Sequence, residues 1–569
     1  MKIKVAGNAG FCMGVTRAVD LALATVRANS SKQVFTYGQL IHNPQTVELL
    51  RKRGVIPIDD IDALPAEGNK AVLVVRAHGI SPSEHARIME KGVQIVDATC
   101  PRVRKVQAIV RKHSRLGYDI VVIGDVAHPE VNAILGYVEG RGFVVGSLEE
   151  VQSLPPLAKI CVVSQTTCST EDYKDIVAQL RSISPAVVAF DTICDSTEQR
   201  QAEVREMARM LDVIIVVGGK NSANTCRLTR IAAEEGALTF HIESEKELAD
   251  ISLRGNAKVG IVAGASTPHW VLDRVISALN RKAVAGNKIG SMFLKMVNSL
   301  VKTDIITILG ALVLGLVGAT LQHSPLAPAG LVAGALFIFA SHTIIRISSR
   351  VANSSVGLIR EEAYAGRRVM FLSAGFISLS CALFLSYRLG AAPFFVLLAI
   401  TGAGLVYNIL HHLPRLYNIT ALAKVPIVAL VWAILLTWLP VGREFVLSWT
   451  ALGSGMVIFS LVLLRLLIAD ARETQSDAIV GKTTLPVVLG RRKTKILTGG
   501  ICVSMILALL LSAFSETTRA LLALPFFYLW ICENLYVSRR REFTRELLEA
   551  VWDFAYLIAS LYVVFAYAS

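Results

Sequence analysis

The sequence predicts two unlike halves: an α/β domain over residues 1–284 and an all-α membrane domain over residues 285–569. Three observations carry this. Short Val/Ile-rich runs alternate with amphipathic segments up to about residue 284, the pattern of strands covered by helices. Beyond Lys288 the apolar stretches lengthen to spanning size. The charge changes with them, because 34 basic and 31 acidic residues precede residue 285 while 24 and 13 follow, a net +3 against +11.

Whole-chain figures bound the class. With 569 residues, 53% hydrophobic content, a net charge of +14 and a mean hydropathy of +0.53, the chain is too apolar for one soluble enzyme. Its front is too charged for a pure membrane protein. Most of the positive charge belongs to the apolar half, so it reads as topology-setting loop charge and not as a nucleic-acid surface. Nine cysteines behind a start (Met-Lys-Ile-Lys-Val) that lacks a secretory apolar core point to a reducing compartment. There, cysteine means metal or chemistry more often than disulfide.

In the front half, the runs at 71–75, 119–123, 160–163, 213–217 and 259–262 read as strands. The stretch Gln94 to Arg104, Q-I-V-D-A-T-C-P-R-V-R, reads as a buried strand at Ile95 and Val96, a tight turn, and Cys100 just before Pro101 at the first position of a helix. Cys12 stands likewise before a helix opening at Gly14, and Cys194 follows an apolar run ending at Phe190. A helix N-terminus lowers a thiol's pKa toward the metal-binding thiolate. Three cysteines in equivalent settings therefore suggest three convergent thiolates.

Polar clusters close the strand runs. G-Q-L-I-H-N, R-A-H-G-I and G-D-V-A-H-P-E-V put His42, His78 and His128 just beyond strand ends, where α/β folds bind ligands. A lone histidine there is more often a cap or loop residue, but three in one context outweigh that reading, and imidazoles suit a diphosphate. S-Q-T-T at 164–167, G-G-K-N-S-A-N-T at 218–225 before a helix from Cys226, and G-A-S-T-P at 264–268 add hydroxyls, amides and free N–H groups at helix starts. No Walker or complete Rossmann fingerprint is present. Cys161, Cys168 and Cys226 read as small buried apolar residues.

The set N-A-G-F-C-M-G-V, I-H-N-P, R-A-H-G, D-A-T-C-P, H-P-E-V, S-Q-T-T, I-C-D-S-T and K-N-S-A-N-T resembles the IspH/LytB family, 4-hydroxy-3-methylbut-2-enyl diphosphate reductase, across residues 1–280. The resemblance implies three α/β units around a central [4Fe-4S] cluster held by Cys12, Cys100 and Cys194, with one iron left open. It implies that His42, His78, His128, Ser222, Asn224 and Ser266 bind the diphosphate of an allylic substrate. Thr166 would lie near the substrate hydroxyl, with Glu130 delivering protons and an electron donor such as ferredoxin or flavodoxin supplying reducing equivalents. Ala223 departs from members that carry a second serine there, so one hydroxyl is lost. The competing class is a zinc-binding or redox-sensing module built from the same Cys and His residues. Structural zinc sites usually pair cysteines as C-x2-4-C, and none of the three is so paired.

In the back half, nine apolar stretches near 304–321, 327–345, 370–387, 391–409, 424–440, 447–468, 495–513, 519–537 and 550–567 are long enough to span. Arg and Lys gather in the loops after the second, fourth, sixth and eighth, which puts those loops and the reductase domain in the cytoplasm. The loop after the sixth, Asp470 to Gly490, resembles the second acidic motif of the UbiA prenyltransferase superfamily. Asp470, Glu473 and Asp477 stand at i, i+3 and i+7, one helical face. In that family such carboxylates hold Mg2+ against a prenyl diphosphate. The first acidic motif is missing: between Gln322 and Arg360 there is no Asp or Glu, and Arg346 and Arg350 stand where it should be. A degenerate or altered prenyltransferase is the resulting expectation, with Glu361 and Glu362 as the substitutes an active enzyme would use.

Overall fold

The computed structural model describes residues 1–284 except Ser30 and Ala66, and residues 305–348, 368–412, 417–480, 483–512, 515–538 and 545–568. Two compact units result, Met1–Gly286 and Asn287–Ser569.

The first unit opens with β1 (Lys2–Val5) and α1 (Met13–Ala28). There follow β2 (Gln33–Tyr37), α2 (Pro44–Lys52), β3 (Val55–Ile58), β4 (Ala71–Val75), α3 (Pro82–Glu90), β5 (Gln94–Asp97) and α4 (Pro101–Arg115). Next come β6 (Asp119–Ile123), α5 (Pro129–Leu135), β7 (Gly142–Val145), α6 (Leu148–Gln152), β8 (Ile160–Ser164), α7 (Thr170–Ile183), β9 (Val187–Ala189) and α8 (Asp195–Met210). It closes with β10 (Val213–Val217), α9 (Ala223–Glu234), β11 (Leu238–Ile242), β12 (Lys258–Ala263) and α10 (His269–Val284).

These strands form three four-stranded parallel sheets of order β1-β12-β10-β11, β3-β2-β4-β5 and β7-β6-β8-β9. The chain leaves the first sheet after β1 and returns to it with β10. All three share one plan, in which a short edge strand (β1, β5 or β9) flanks two buried interior strands. Most interior strands are Val/Ile-rich runs because both faces are covered, β2 (Gln33–Tyr37) being the exception. In β6, for example, Val121 and Ile123 face Ile176 and Leu180 of α7, while Ile120 and Val122 face Val106 and Val110 of α4. Truncating such a residue to Ala costs about 2–5 kcal/mol.

Two local expectations need correction. Ile95 and Val96 are half-buried, not buried, because β5 is an edge strand with a single neighbour. The helix expected from Cys226 starts three residues earlier, at Ala223, with Ser222 as its N-cap.

The second unit is helical: α11 (Ile305–Leu321), α12 (Pro328–Ser348), α13 (Arg368–Leu389), α14 (Ala391–His412), α15 (Tyr417–Trp438), α16 (Trp449–Val480), α17 (Leu485–Leu489), α18 (Arg491–Leu510), α19 (Glu516–Ser538) and α20 (Arg545–Ala568). Among the described residues five helical segments are long and apolar enough to cross a membrane: 368–389, 391–410, 420–438, 449–474 and 492–510. The apolar helices at 305–321, 328–344 and 551–566 are shorter. Leu314, Leu436, Leu461, Phe526, Trp552 and Tyr556 form part of the core, while Phe376, Phe384 and Phe395 face outward. After the sixth expected span, the segment expected to present Asp470, Glu473 and Asp477 on one helical face is helical and continuous with α16, which runs to Val480. Arg350, Glu361 and Glu362 lie outside the described residues.

Candidate functional site

The three cysteines occupy one structural position three times. Cys12, Cys100 and Cys194 are the N-caps of α1, α4 and α8, each just past an edge strand. Their backbone N–H groups donate to Ala265, Ala77 and Thr166 carbonyls at 3.0, 2.9 and 2.9 Å. Those acceptors sit in the loops after the adjacent interior strands, beside or at Ser266, His78 and Thr166. Each thiol is thus tied to the loop expected to carry ligand contacts. Cys100 and Cys194 spend no side-chain bond on capping, whereas the Cys12 sulfur accepts from Val15 N at 3.4 Å. A Cβ on Gly14 would lie 2.9 Å from the Cys100 sulfur and 3.8 Å from that of Cys12, so the two thiols can flank α1 only because residue 14 has no side chain.

Burial pushes the Cys100 thiol above its ordinary pKa, against the expected lowering. It outweighs the N–H bonds from Arg102 and Val103, and neighbouring Cys12 and Cys194 add to it. A compensating charge is close by. Arg200, on α8, is 4% exposed and donates to the Ala263 and Gly10 carbonyls at 3.0 and 2.7 Å. It makes no ion pair among the described residues; burial lowers its pKa, while Cys12, Glu203 and Cys194 oppose that. A buried guanidinium with no carboxylate paired to it among the described residues fits a group of negative charge at the thiols.

Among the described residues, only His42, His78 and His128 bring three metal-type ligand atoms within 4.8 Å of one another.

The ligand-type side chains follow the interior strands. His42 and His78 lie past β2 and β4, His128 and Glu130 past β6, Thr166 past β8, Ser222, Ala223 and Asn224 past β10, and Ser266 past β12. The imidazoles form a triangle with centroids 5.1, 6.0 and 5.3 Å apart. Burial holds all three below the ordinary histidine pKa, His78 far below and His128 at about 4, with positive neighbours contributing. They are therefore neutral near pH 7 in the free site. His128 Nδ1 accepts from Glu130 N at 3.2 Å. Among the described residues, His42 Nε2, His78 Nδ1 and Asn224 Nδ2 are buried without a hydrogen-bond partner, which marks a place built for a polar ligand. Ser222 is buried and makes no capping bond, and Ser266 is half-buried.

Glu130 is 2% exposed. It accepts from Thr166 N at 2.6 Å and Thr166 Oγ1 at 2.9 Å. Burial raises its pKa and these two bonds only partly oppose the rise. A carboxyl in that setting holds a proton to higher pH than an exposed one.

Arg76 and Arg200 were not singled out in the sequence. The Arg76 guanidinium lies 5.6 Å over Tyr37 and against Gly38, whose φ of +69° favours glycine. Its charge also depresses the pKa of the three histidines. The signal for Arg76 was its place in R-A-H-G, two residues before His78. Of the other cysteines, Cys161 and Cys168 are buried, with thiols pushed up to about 12 and about 11 by burial. Cys226 is exposed, contrary to expectation, because it lies on the face of α9 away from buried Asn224, Leu228 and Ile231.

In the second unit Asp470, Glu473 and Asp477 lie on α16, the first two half-buried and Asp477 buried. On the same helix Arg465 pairs with Asp553 of α20 at 2.7 Å, both largely buried. Glu533 of α19 accepts from Thr498 Oγ1 of α18 at 2.8 Å.

Residues 3–280 match the family model described as LytB protein, and residues 364–552 match the UbiA prenyltransferase family. A 4-hydroxy-3-methylbut-2-enyl diphosphate reductase of Pelobacter propionicus is 44% identical over 285 residues, half of this chain and all of that one. A solved (E)-4-hydroxy-3-methyl-but-2-enyl diphosphate reductase is 38% identical, covering 49% of this chain and 99% of that one, with a TM-score of 0.39. A solved UbiA homolog from Archaeoglobus fulgidus bound to GPP and Mg2+ is 16% identical, covering 47% of this chain and 97% of that one, with a TM-score of 0.37.

Proposed function

The chain belongs to the LytB family and carries a UbiA-family segment behind it, and from that premise we propose that residues 1–284 reduce 4-hydroxy-3-methylbut-2-enyl diphosphate to isopentenyl and dimethylallyl diphosphate. Cys12, Cys100 and Cys194 would hold a [4Fe-4S] cluster with one iron open. The observation that carries this reading is the threefold repeat: an N-cap thiol on each edge strand, tied by its N–H to the neighbouring ligand loop. Bound there, the cluster would supply two electrons one at a time and a Lewis-acidic iron.

The protein's own groups do the rest. His42, His78, His128, Ser222, Asn224 and Ser266 hold the diphosphate, whose charge takes up the orphaned donors and favours protonated imidazoles. The Ala223 backbone N–H, at the first position of α9, offers a donor where a second serine hydroxyl is absent. Glu130, whose proton burial helps to retain, gives it to the departing hydroxyl with Thr166 holding its carboxyl in place. Over one turnover a C–O bond breaks, a C–H bond forms, two electrons and two protons enter, and water leaves. Anaerobically purified full-length protein, given a chemical reductant and the substrate, should release both isomers. Intact substrate beside a reduced cluster would refute the reading.

For residues 285–569 we propose a nine-helix, bilayer-embedded UbiA-like domain, with the reductase domain on the cytoplasmic side. Asp470, Glu473 and Asp477 would hold Mg2+ and a prenyl diphosphate, supported by their shared position on α16. Because residues 322–360 contain no carboxylate, this half would bind a prenyl diphosphate without the usual two-metal activation. Robust Mg2+-dependent transfer of a labelled prenyl diphosphate to an aromatic or lipid acceptor, abolished by Asp470→Ala, would disprove that degeneracy.

A further inference from the structure

We propose that the outer face of α4 is the docking surface for a small acidic protein that carries single electrons, with the cavity beside Thr99 as the point where its redox group approaches. The proposal rests on the reductase reading and adds where the electrons enter. Among the described residues, α4 is the only α-helix of the first unit without an Asp or Glu, and in 15 residues it carries six Arg and Lys. The positive charge is concentrated there, since residues 1–284 as a whole carry only +3.

Half of that charge is already answered. Arg102, Arg104 and Arg115 pair with Asp195, Asp97 and Glu139. Lys105, Arg111 and Lys112 are exposed and make no ion pair among the described residues. A cavity of about 740 Å³ opens beside the helix, lined by Thr99, Arg104, Arg111, Lys112, Leu116 and Tyr137 among others. Thr99 immediately precedes Cys100, the N-cap of α4, so the cavity reaches the backbone next to a proposed cluster ligand. Lys112 stands ~17 Å along the axis from Pro101, by helical rise. The helix thus presents a basic track from the surface to that point. Its free cations are exposed, which suits steering of a large acidic partner more than a tight grip on a small anion. With a cluster held at the thiols, each encounter would oxidise the donor by one electron and reduce the cluster by one, so two encounters would serve one turnover.

The test uses full-length protein in nanodiscs, under anaerobic conditions, with an acidic [2Fe-2S] ferredoxin as probe. Two quantities are read: the affinity for oxidised ferredoxin, by fluorescence anisotropy, and the rate of reduction by reduced ferredoxin, by stopped-flow absorbance. The variant Arg111→Glu/Lys112→Glu should lose at least tenfold in both at low salt, the gap closing at high salt. Reduction by methyl viologen should be unchanged. Lys174→Glu/Arg181→Glu, the same charge change on α7 across the sheet from α4, should lose less than twofold. Equal losses in the two variants, or none in the first, would overturn the proposal. So would a loss confined to nanodiscs of anionic lipid, which would make the surface a lipid contact. A chain that methyl viologen cannot reduce at all sinks the reductase reading separately, and the affinity measurement still decides the docking.

Discussion

The two units place their polar side chains by different rules. In the first, every residue proposed to touch a ligand stands just past the end of a parallel strand, and the backbone topology alone gathers them. In the second, the charged groups sit inside helices and are held by partners far away in sequence: Arg465 by Asp553, 88 residues on, and Glu533 by Thr498, 35 residues back. Strand ends concentrate function at punctuation in the sequence. Helix faces scatter it among apolar residues of the same period.

The sharpest break in that comparison is the cysteines. Cys12→Ser, Cys100→Ser or Cys194→Ser should each remove the cluster absorption and all reductase turnover, whereas Cys161→Ser and Asp470→Ala should leave both intact. A cysteine variant with full activity would dissolve the threefold equivalence.

Next in size is Glu130→Gln, which keeps shape but cannot donate a carboxylic proton. Turnover should fall by about 10²–10⁴ with the cluster spectrum preserved. Unchanged turnover would assign the proton to another group.

The second unit has its own counterpart. Arg465→Leu leaves Asp553 buried and uncompensated, so it should lower the full chain's thermal midpoint in detergent by an amount equivalent to about 3–5 kcal/mol, and Arg465→Leu/Asp553→Leu should recover most of it. Reductase activity below the transition should not change. A double variant no better than the single would mean that the pair is not the source of the loss.

The smallest effect is pH dependence at the histidine triangle. With folded pKa values depressed below 6.5, the neutral imidazoles give stability that is fully present above 6.5 and is lost as pH falls, for His128 toward about 4. An anion reverses the preference, so inorganic diphosphate should bind more tightly at pH 6 than at pH 8, by about tenfold or less, with proton uptake visible by calorimetry in buffers of different ionisation enthalpy. Affinity that is flat or falls on acidification would contradict the triangle's role.

The same contrast explains what could be read in advance. The strands at 71–75, 119–123 and 213–217 stand where the sequence put them, because unbroken β-branched runs have few alternatives. The half-burial of Ile95, the exposure of Cys226 and the charge at Arg200 depend on which strand is at an edge and which helix face is covered. No local pattern records that. The i, i+3 and i+7 carboxylates of D-A-R-E-T-Q-S-D mark a helical face, but not that it continues the preceding span; its residues are compatible with helix and the next glycine is Gly481, so α16 runs on to Val480.

The most direct test of the central claim is metal analysis of anaerobically purified full-length protein beside its Cys100→Ser variant. Iron and sulfide in the ratio of one [4Fe-4S] cluster per chain, with the brown absorption, should be present in the first and absent from the second. Stoichiometric zinc without iron, or iron that survives the substitution, would contradict it.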